Sequence, residues 1–370
     1  MAAHHGKQDG KKVRYAVVGA GNIAQVAVMP AFAHAKENSE LVALISSDAT
    51  KRAELCKEYQ LEIAGDYSEL EQVLARGQID AVYVATPNSL HKEHVLRAAA
   101  CGVHVLCEKP LAPSVKDCEV MAQACRDHSV KLMVAYRLHF EEGTLSALQL
   151  LEEGKLGDLR VFDSAFGHNV RPGDIRTKPE VAGGACLDLG VYCINMARHV
   201  FQAEPLSVLA SSIDRDGVDD TTTAVLRFEG ERVAQFTVSN STASTSSYRV
   251  VGSSGDLRVE PAFAYVEGLE HYLTVDGKTR HKAFSKRDQF APQLIHFSRC
   301  VLEGSEPGPT AEEGICDIRI VEAILESART GRKVELEPRE QRYQPSLQQE
   351  LKKPALSKPK PIHAPSPSLK

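Results

Sequence analysis

Hydrophobic residues in the first part of the chain fall into short runs that are separated by amphipathic stretches. The runs are too short for helices and predict buried strands, while the stretches between them have helical spacing. Strands are predicted at 13–18, 41–45, near 63, 80–85, 103–107 and 131–136. Strands that alternate with helices predict an α/β fold, with a doubly wound parallel sheet over residues 13–137 that binds its ligand at the carboxyl ends of the strands.

The pattern changes after residue 137. Helices are predicted at 142–153 and 187–201, a strand at 159–166 and an irregular segment at 167–184. Polar and apolar residues then alternate, which predicts strands at 207–213, 221–228, 233–239, 248–252, 256–259 and 272–275, before helices return at 289–302 and 311–330. Residues 138–337 therefore predict an α+β domain with an open, mainly antiparallel sheet. An exposed sheet face requires cover, so we expect a homodimer or homotetramer formed through it.

Both ends of the chain are polar. Residues 1–12 predict a short flexible segment, and residues 338–370 are rich in Pro, Lys, Ser and Gln and cannot bury a core. Disorder is the first expectation for this C-terminal segment. The alternative is an arm that docks on a partner subunit.

The composition is that of a soluble globular protein, and it excludes several partners. The 370 residues are 43% hydrophobic and 25% charged, and the net charge of -5 offers no basic surface for nucleic acid or an anionic membrane. The nine cysteines have no Cys-x-x-Cys pair and no zinc spacing, so we expect free thiols in a reducing compartment and no metal site. No signal sequence or membrane span is predicted, which indicates a cytoplasmic protein.

A glycine-rich loop, Gly19-Ala20-Gly21-Asn22-Ile23-Ala24, follows the first strand and leads into a helical pattern. Gly19 permits a tight turn, Gly21 lets the backbone approach a pyrophosphate, and Ala24 is the small residue at which helix packs on strand. The phosphates are expected at the N–H groups of the helix start, with Gly19, Ala20, Gly21, Asn22 and Ile23 as binding residues. The alternative, a chance Gly-x-Gly loop, is disfavoured by the order of strand, turn and helix.

The end of the second strand indicates the kind of dinucleotide. Ser46 and Ser47 stand where an acidic residue would bind a free ribose 2'-hydroxyl, and Lys51 and Arg52 lie one helical turn beyond. A carboxylate would repel a 2'-phosphate, whereas hydroxyl groups and cations bind it, so NADP is favoured over NAD. The alternative is a helix capped by Ser47 or Asp48 with solvated basic side chains.

Two further loops lie at the same edge of the predicted sheet. Thr86-Pro87-Asn88 follows the fourth strand, with His91 close behind, and Glu108-Lys109-Pro110 follows the fifth. The amine of Lys109 would be desolvated there, which lowers its pKa and suits it to hydrogen bonding or proton transfer at a reacting hydroxyl. The alternatives are a surface lysine before a turn proline, a helix cap at Asn88 and a solvated histidine at position 91.

In the second domain, two glycines precede a predicted helix that carries Asp188 and Tyr192. The two residues are four positions apart, so both side chains lie on one face of the helix and can point at one ligand. A phenol can shuttle a proton if a neighbouring ammonium, such as that of Lys109, stabilises its ionised form. The alternative is a partly buried tyrosine beside an N-terminal aspartate that interacts with the helix dipole.

Together these motifs resemble the Gfo/Idh/MocA oxidoreductases, nearest the branch of glucose-fructose oxidoreductase and related sugar dehydrogenases. The resemblance covers about residues 13–332 and rests on the glycine loop, 86–91, 107–110, Tyr136-Arg137-x-His139 and the stretch from Gly183 to Tyr192. It implies a Rossmann domain, a second α/β domain with an open sheet, and an enzyme that oxidises or reduces a sugar or cyclic polyol. It also implies that Lys109 and Asp188 bind and orient the reacting hydroxyl, that Tyr192 is the acid/base, and that the bond before Pro110 is cis.

The resemblance extends to further cofactor and substrate residues. Besides the glycine loop, the expected cofactor-binding residues are Ser46, Ser47, Lys51, Arg52, Tyr67, Thr86, Pro87, Asn88, His91, Glu108, Lys109, Arg137 and Arg176. The substrate is expected to meet Lys109, Arg137, His139, His168, Arg171, Asp188 and Tyr192. Two departures matter. Tyr192 stands where the inositol dehydrogenase branch has histidine, and the chain lacks the export signal and N-terminal arm of the periplasmic glucose-fructose enzyme, which argues against a permanently held cofactor.

Three functions are compatible with these residues. The leading hypothesis is an NADP-dependent dehydrogenase or reductase of a sugar, in which Tyr192 moves the hydroxyl proton. The alternatives are a redox-assisted glycoside-cleaving enzyme of the same superfamily and a nucleotide sensor without catalysis. The presence of Lys109, Asp188 and Tyr192 together argues against the sensor, and release of an aglycone without net change in NADPH would distinguish the second function from the first.

Overall fold

The first sheet is parallel and is formed by the N-terminal part of the chain. The computed structural model describes residues 10–340, 343–357 and 359–369, and these contribute six strands to the sheet: β1 Val13–Val18, β2 Ser39–Ile45, β3 Ile63–Gly65, β4 Ala81–Val84, β5 His104–Cys107 and β6 Leu132–Val134. Their order is β3-β2-β1-β4-β5-β6, with parallel neighbours throughout. Because helices cover both faces, β4 is buried at every position. The predicted doubly wound sheet is confirmed.

Helices join consecutive strands of this sheet. After the glycine loop the chain is helical in three successive pieces, a π-helical turn Ala24–Val28, α1 Met29–Ala31 and a 3-10 turn Phe32–His34. The following helices are α2 Ala49–Tyr59, α3 Leu70–Leu74, α4 His91–Ala100 and α5 Val115–Asp127. Asp48 caps α2, because its carboxylate accepts a hydrogen bond from the backbone N–H of Lys51 at 3.0 Å. The capping role considered for Asp48 is therefore present.

The second sheet is mainly antiparallel. The described residues form nine strands in it: β7 Leu159–Asn169, β8 Ser207–Arg215, β9 Val218–Phe228, β10 Arg232–Ser239, β11 Ser241–Gly252, β12 Gly255–Val259, β13 Glu270–Val275, β14 Lys278–Ala283 and β15 Val334–Glu335. Their order is β14-β13-β12-β11-β7-β10-β9-β8-β15, and β7 and β10 pair in parallel. The alternating pattern predicted the sheet but missed β14, which is polar and exposed along its length, and β15, which has two residues.

The remaining α-helices are α6 Glu142–Glu152, α7 Val191–Phe201, α8 Ala291–Glu303 and α9 Ala311–Thr330, and a π-helical turn, Cys186–Gly190, leads directly into α7. α7 and α9 pack on the second sheet, whereas α8 returns to the first. There the hydroxyl of Ser298 lies 2.8 Å from the phenol oxygen of Tyr15 and 2.7 Å from the hydroxyl of Ser39. The two sheets come from successive parts of the chain, since β6 ends at Val134 and β7 begins at Leu159, but α8 packs back on the first sheet.

The C-terminal segment lies along its own chain. The ammonium of Lys353 is 2.8 Å from the carboxylate of Glu37, and isolated bridges join Arg287 to Pro354 and Val170 to Ser368. The described residues of 338–370 thus make contacts with both folded domains, although this segment has no core of its own. Of the flexible segment expected at 1–12, residues 1–9 lie outside the described part.

No helix in the described ranges combines the length and apolar character needed to cross a bilayer. The nine cysteines all lie in those ranges, and their thiols are free.

Candidate active site

Lys109 and Asp188 meet between the two sheets. Lys109 follows β5, and the peptide bond to Pro110 is cis, as the family resemblance implied. The ammonium of Lys109 donates hydrogen bonds to the carboxylate of Asp188 at 3.1 Å and to the backbone oxygen of Asp188 at 2.8 Å. It also lies 4.6 Å from the centre of the Tyr192 ring. Lys109 is therefore in contact with both of the other residues expected to carry the chemistry.

The carboxylate of Asp188 is shared by two cations. Its second oxygen accepts a hydrogen bond from Nε of Arg176 at 2.6 Å, and Arg176 also pairs with Asp174 at 3.1 Å. Burial alone would raise the pKa of Asp188, but Arg176 and Lys109 outweigh it and hold this pKa well below its usual range. Arg176, which the sequence assigned to the cofactor, is thus bound to Asp188, one of the residues expected to carry the chemistry.

The charge state of Lys109 differs from the expectation. Burial, the largest single effect, would lower the pKa of Lys109, but Asp188, Tyr192 and Glu108 together outweigh burial, and the pKa of Lys109 is raised. The side chain is therefore an ammonium at neutral pH. It can donate a hydrogen bond and stabilise negative charge on a neighbouring oxygen, but it is not poised to accept a proton.

Arg137 forms a second cationic contact with Tyr192. Its guanidinium carbon lies 5.2 Å from the centre of the Tyr192 ring and 5.3 Å from that of Tyr265. The guanidinium is held in place because it donates hydrogen bonds to the side chain of Gln289 and the backbone oxygen of Phe263. The ring of Tyr192 is consequently in contact with two cations, Lys109 and Arg137, of which Arg137 is held by hydrogen bonds.

Asp219 on β9 fixes the start of the helical segment that carries Asp188 and Tyr192. Its carboxylate accepts hydrogen bonds from the backbone N–H of Cys186 at 2.7 Å and the hydroxyl of Thr222 at 2.9 Å. Gly184 lies against it with a φ of +119°, and a Cβ there would be 2.1 Å from the carboxylate. Burial raises the pKa of Asp219 to about 6. Sequence reasoning missed this residue, because Asp219 adjoins Asp220 in a strand and neither spacing nor composition distinguishes them.

The glycine loop has the geometry that a dinucleotide requires. Gly19 has a φ of +101°, and a Cβ at this position would lie 2.6 Å from the backbone oxygen of Ala85. At Gly21 a Cβ would meet nothing nearer than 3.8 Å, so the backbone there can be approached closely. Beside the loop, the hydroxyl of Thr86 is buried without a hydrogen-bond partner in the structure. A close glycine turn and an orphaned hydroxyl at the carboxyl edge of β4 fit a bound dinucleotide.

The predicted 2'-phosphate residues cluster at the end of β2. Ser46 is buried and Ser47 is exposed, and the ammonium of Lys51 lies 4.0 Å from the carboxylate of Asp48. Arg52 donates hydrogen bonds to the backbone oxygen of Ser46 and, at 3.3 Å, to Asp66. Tyr67 follows Asp66 directly and is partly buried. The serine hydroxyls and the basic side chains of Lys51 and Arg52 therefore lie close together at the end of β2, although Arg52 already forms hydrogen bonds with its own chain there.

Three of the predicted cofactor residues hold loops together. His91 is fully buried, with Nδ1 3.0 Å from the backbone oxygen of Pro110 and Nε2 3.0 Å from that of Thr86. Asn88 donates a hydrogen bond to the backbone oxygen of Ala182 at 3.0 Å, and Glu108 accepts one from the phenol of Tyr83 at 2.8 Å. His91 is thus not solvated; it joins the loops after β4 and β5 and so positions Lys109.

The three other predicted substrate residues, His168, His139 and Arg171, lie in three different environments. His168 lies in the electric field of Asp188, Arg176 and Lys109, and its buried Nε2 has no hydrogen-bond partner in the structure. His139, in contrast, is buried with Nε2 2.6 Å from the side-chain oxygen of Asn195, and its ring stacks on Tyr136 and Tyr343.

Arg171 lies elsewhere again. It is exposed, and its Nε and backbone N–H donate hydrogen bonds to the C-terminal segment. His168 therefore joins the site, while His139 lies in the core and Arg171 at the surface.

Comparison with known proteins agrees with this architecture. The model of the oxidoreductase family with an NAD-binding Rossmann fold, GFO/IDH/MocA, matches residues 13–136, and the model of the GFO/IDH/MocA C-terminal domain matches residues 125–258. A D-xylose 1-dehydrogenase [NADP(+)] from Haloarcula marismortui is 32% identical over 337 residues, which are 88% of this chain and 93% of that protein.

Solved structures extend the similarity to three dimensions. The aldose-aldose oxidoreductase from Caulobacter crescentus, complexed with glycerol, superposes with a TM-score of 0.84 at 34% identity, over 88% of this chain and 100% of that one. A 3-ketoreductase from Actinomadura kijaniata, in complex with NADP and TDP-benzene, superposes with a TM-score of 0.80 at 28% identity, over 86% of this chain and 98% of that one. The chain belongs to the Gfo/Idh/MocA family of oxidoreductases.

Proposed function

We propose that this oxidoreductase uses NADP and transfers a hydride between the nicotinamide and a carbon that bears a hydroxyl or carbonyl oxygen in a sugar or related cyclic polyol. The observation that supports this most directly is the contact of Lys109 with both Asp188 and the ring of Tyr192. The similarity to enzymes named for xylose, aldoses and a keto sugar supports the substrate class.

Each of the three residues has a distinct role in this proposal. The ammonium of Lys109 donates a hydrogen bond to the reacting oxygen, and Asp188 accepts one from a sugar hydroxyl while keeping Lys109 charged. Tyr192 exchanges the proton of the reacting hydroxyl, because neither Lys109 nor the ionised Asp188 is suited to do so. When bound, the nicotinamide accepts or donates the hydride.

The activity is tested by incubating the purified protein with NADP+ and a panel of aldoses, ketoses and cyclic polyols. A rise in NADPH absorbance that depends on one class of sugar supports the proposal. Release of an aglycone from glycosides without a net change in NADPH would instead indicate the alternative function, redox-assisted glycoside cleavage. Binding of NADPH without turnover of any sugar or glycoside would assign a nucleotide sensor.

Replacing Ser46 with aspartate should shift the cofactor preference from NADP toward NAD. The new carboxylate would repel a 2'-phosphate and accept a hydrogen bond from a free 2'-hydroxyl. A lost charge-assisted hydrogen bond is worth about 1.5–3 kcal/mol, or roughly tenfold or more in affinity. Titration of protein fluorescence with NADPH and NADH measures both affinities. Tighter binding of NADH than NADPH by the unmodified protein would refute the assignment.

The protein should form a dimer or tetramer through the outer face of the second sheet. Leu209 and Ile213 of β8 are 50% and 67% exposed, and Val225 of β9 is exposed beside them. Such an apolar face is typical of an isologous interface. Sedimentation should show an oligomer at micromolar concentration, and Ile213→Arg should dissociate it while Asp216→Arg, in the exposed turn beyond β8, should not. A monomeric wild-type protein would contradict this.

A further inference from the structure

The C-terminal segment is bound directly to the helical turn that follows the glycine loop. The side-chain amide of Gln25 forms a pair of hydrogen bonds with the backbone of Ile362, donating at 2.9 Å and accepting at 2.7 Å. Asn22 donates a hydrogen bond to the backbone oxygen of Ala364 at 2.8 Å. Gln25 and Ala364 are both buried. One of the residues expected at the pyrophosphate, Asn22, therefore also holds the C-terminal segment.

The same segment is anchored a second time, in the other domain. The backbone N–H of Arg171 donates to Pro367 at 2.7 Å, and that of Leu369 donates to Asn169, the last residue of β7, at 2.8 Å. Val170 and Ser368 form an antiparallel bridge between these bonds. The segment from Pro361 to Leu369 thus spans from the dinucleotide-binding loop to the second sheet.

The composition of the segment suits such a crossing. Pro359, Pro361, Pro365 and Pro367 alternate with other residues around the two anchors. Proline restricts the unfolded backbone, so less conformational entropy is lost when the segment becomes ordered. The proline content that predicted disorder is therefore compatible with an extended strap held by hydrogen bonds at both ends.

His363 lies within the first anchor, between Ile362 and Ala364, and its side chain reaches the residues expected at the 2'-phosphate. Its Nδ1 is 3.3 Å from the carboxylate of Asp48, the residue that caps α2 beside Ser46, Ser47 and Lys51. His363 has a φ of +45°, and its side chain is 62% exposed. An imidazole in this place can donate a charge-assisted hydrogen bond to a phosphate oxygen.

We propose, on the basis of the proposed cofactor, that Pro361–Leu369 is a strap that closes over the bound dinucleotide, retains it, and supplies His363 as a further ligand of the 2'-phosphate. The strap joins both domains, so cofactor exchange requires at least one anchor to open.

A truncated protein that ends at Ser357 tests retention. It keeps the part of the C-terminal segment that includes Lys353 and its contact with Glu37. Each protein is loaded with NADPH and mixed with excess NADP+, and the loss of NADPH fluorescence gives the dissociation rate. The truncated protein should release NADPH about tenfold faster or more, since several hydrogen bonds are lost together. Native mass spectrometry should find more cofactor on the full chain as purified.

Point variants test the role of His363 separately. His363→Ala should speed NADPH dissociation and leave NADH dissociation unchanged, because NADH has no 2'-phosphate. Lys360→Ala, at an exposed neighbour, should change neither rate. Equal NADPH dissociation from the full and truncated proteins, or tighter NADPH binding after truncation, would overturn the strap while leaving the NADP assignment intact. If neither protein binds NADPH, both the strap and the proposed cofactor are wrong.

Discussion

Tyr192→Phe should lower turnover by about 10² to 10⁴, the usual contribution of a positioned acid/base, while NADPH affinity and the thermal transition remain close to wild type. The ring of Tyr192 packs against Phe166 and Phe263, and phenylalanine preserves those contacts. Only the hydroxyl that exchanges the substrate proton is lost. Steady-state kinetics with the sugar identified by the substrate panel, together with NADPH titration, separate catalysis from binding. Tyr272→Phe, a phenol on β13 away from the site, is the matched control and should keep full activity.

Lys109→Ala should be at least as damaging, because it removes a substrate contact and one of the two cations beside the phenol. The losses in Tyr192→Phe and Lys109→Ala should be less than additive in the double variant, since the two residues act as a unit. Wild-type turnover in Tyr192→Phe would transfer the acid/base role to another group, and His168 would be tested next.

Arg198→Met should lower the free energy of unfolding by about 3–5 kcal/mol, because it would leave buried carboxylates without their cation. Arg198 is fully buried and lies 2.6 Å from Glu204, 2.6 Å from Asp317 and 3.2 Å from Glu313. Methionine fills similar volume but carries no charge. Urea unfolding followed by circular dichroism measures the change. Arg249→Met, which breaks the exposed pair with Asp256, is the control and should cost less than about 1 kcal/mol.

The loss in Arg198→Met should be larger at pH 8 than at pH 5. Burial raises the pKa of Glu313 from 4.5 to about 7 even with Arg198 present, so the folded state binds more protons than the unfolded state between these values. The free energy of unfolding therefore falls as pH rises through this range, and it falls more steeply in Arg198→Met, which lacks the guanidinium that stabilises ionised Glu313. The prediction would be contradicted if the loss in unfolding free energy caused by Arg198→Met were equal at pH 5 and pH 8, or if the variant were as stable as the wild type.

The cluster around Arg198 shows that spacing along the sequence does not predict which side chains meet in the interior. Arg198 and Glu204 are close in the chain, but Glu313 and Asp317 come from α9, more than 100 positions later. His139 belonged to a motif and was therefore expected at the substrate, yet it bonds with Asn195, whose amide donates to Asp317. A motif identifies a residue type at a position, whereas burial decides whether its side chain meets a ligand or the core.

The sequence by itself determined the parallel sheet, most strands of the second sheet and the loops that carry Lys109, Asp188 and Tyr192. These features depend on local periodicity and on glycine and proline, which act over a few residues. It did not determine the raised pKa of Lys109, the binding of Arg176 to Asp188 or the capping by Asp219, since each depends on groups from separate elements. The path of the C-terminal segment also required the tertiary structure, because its order comes from hydrogen bonds to Gln25 and Asn169 rather than from a hydrophobic pattern of its own.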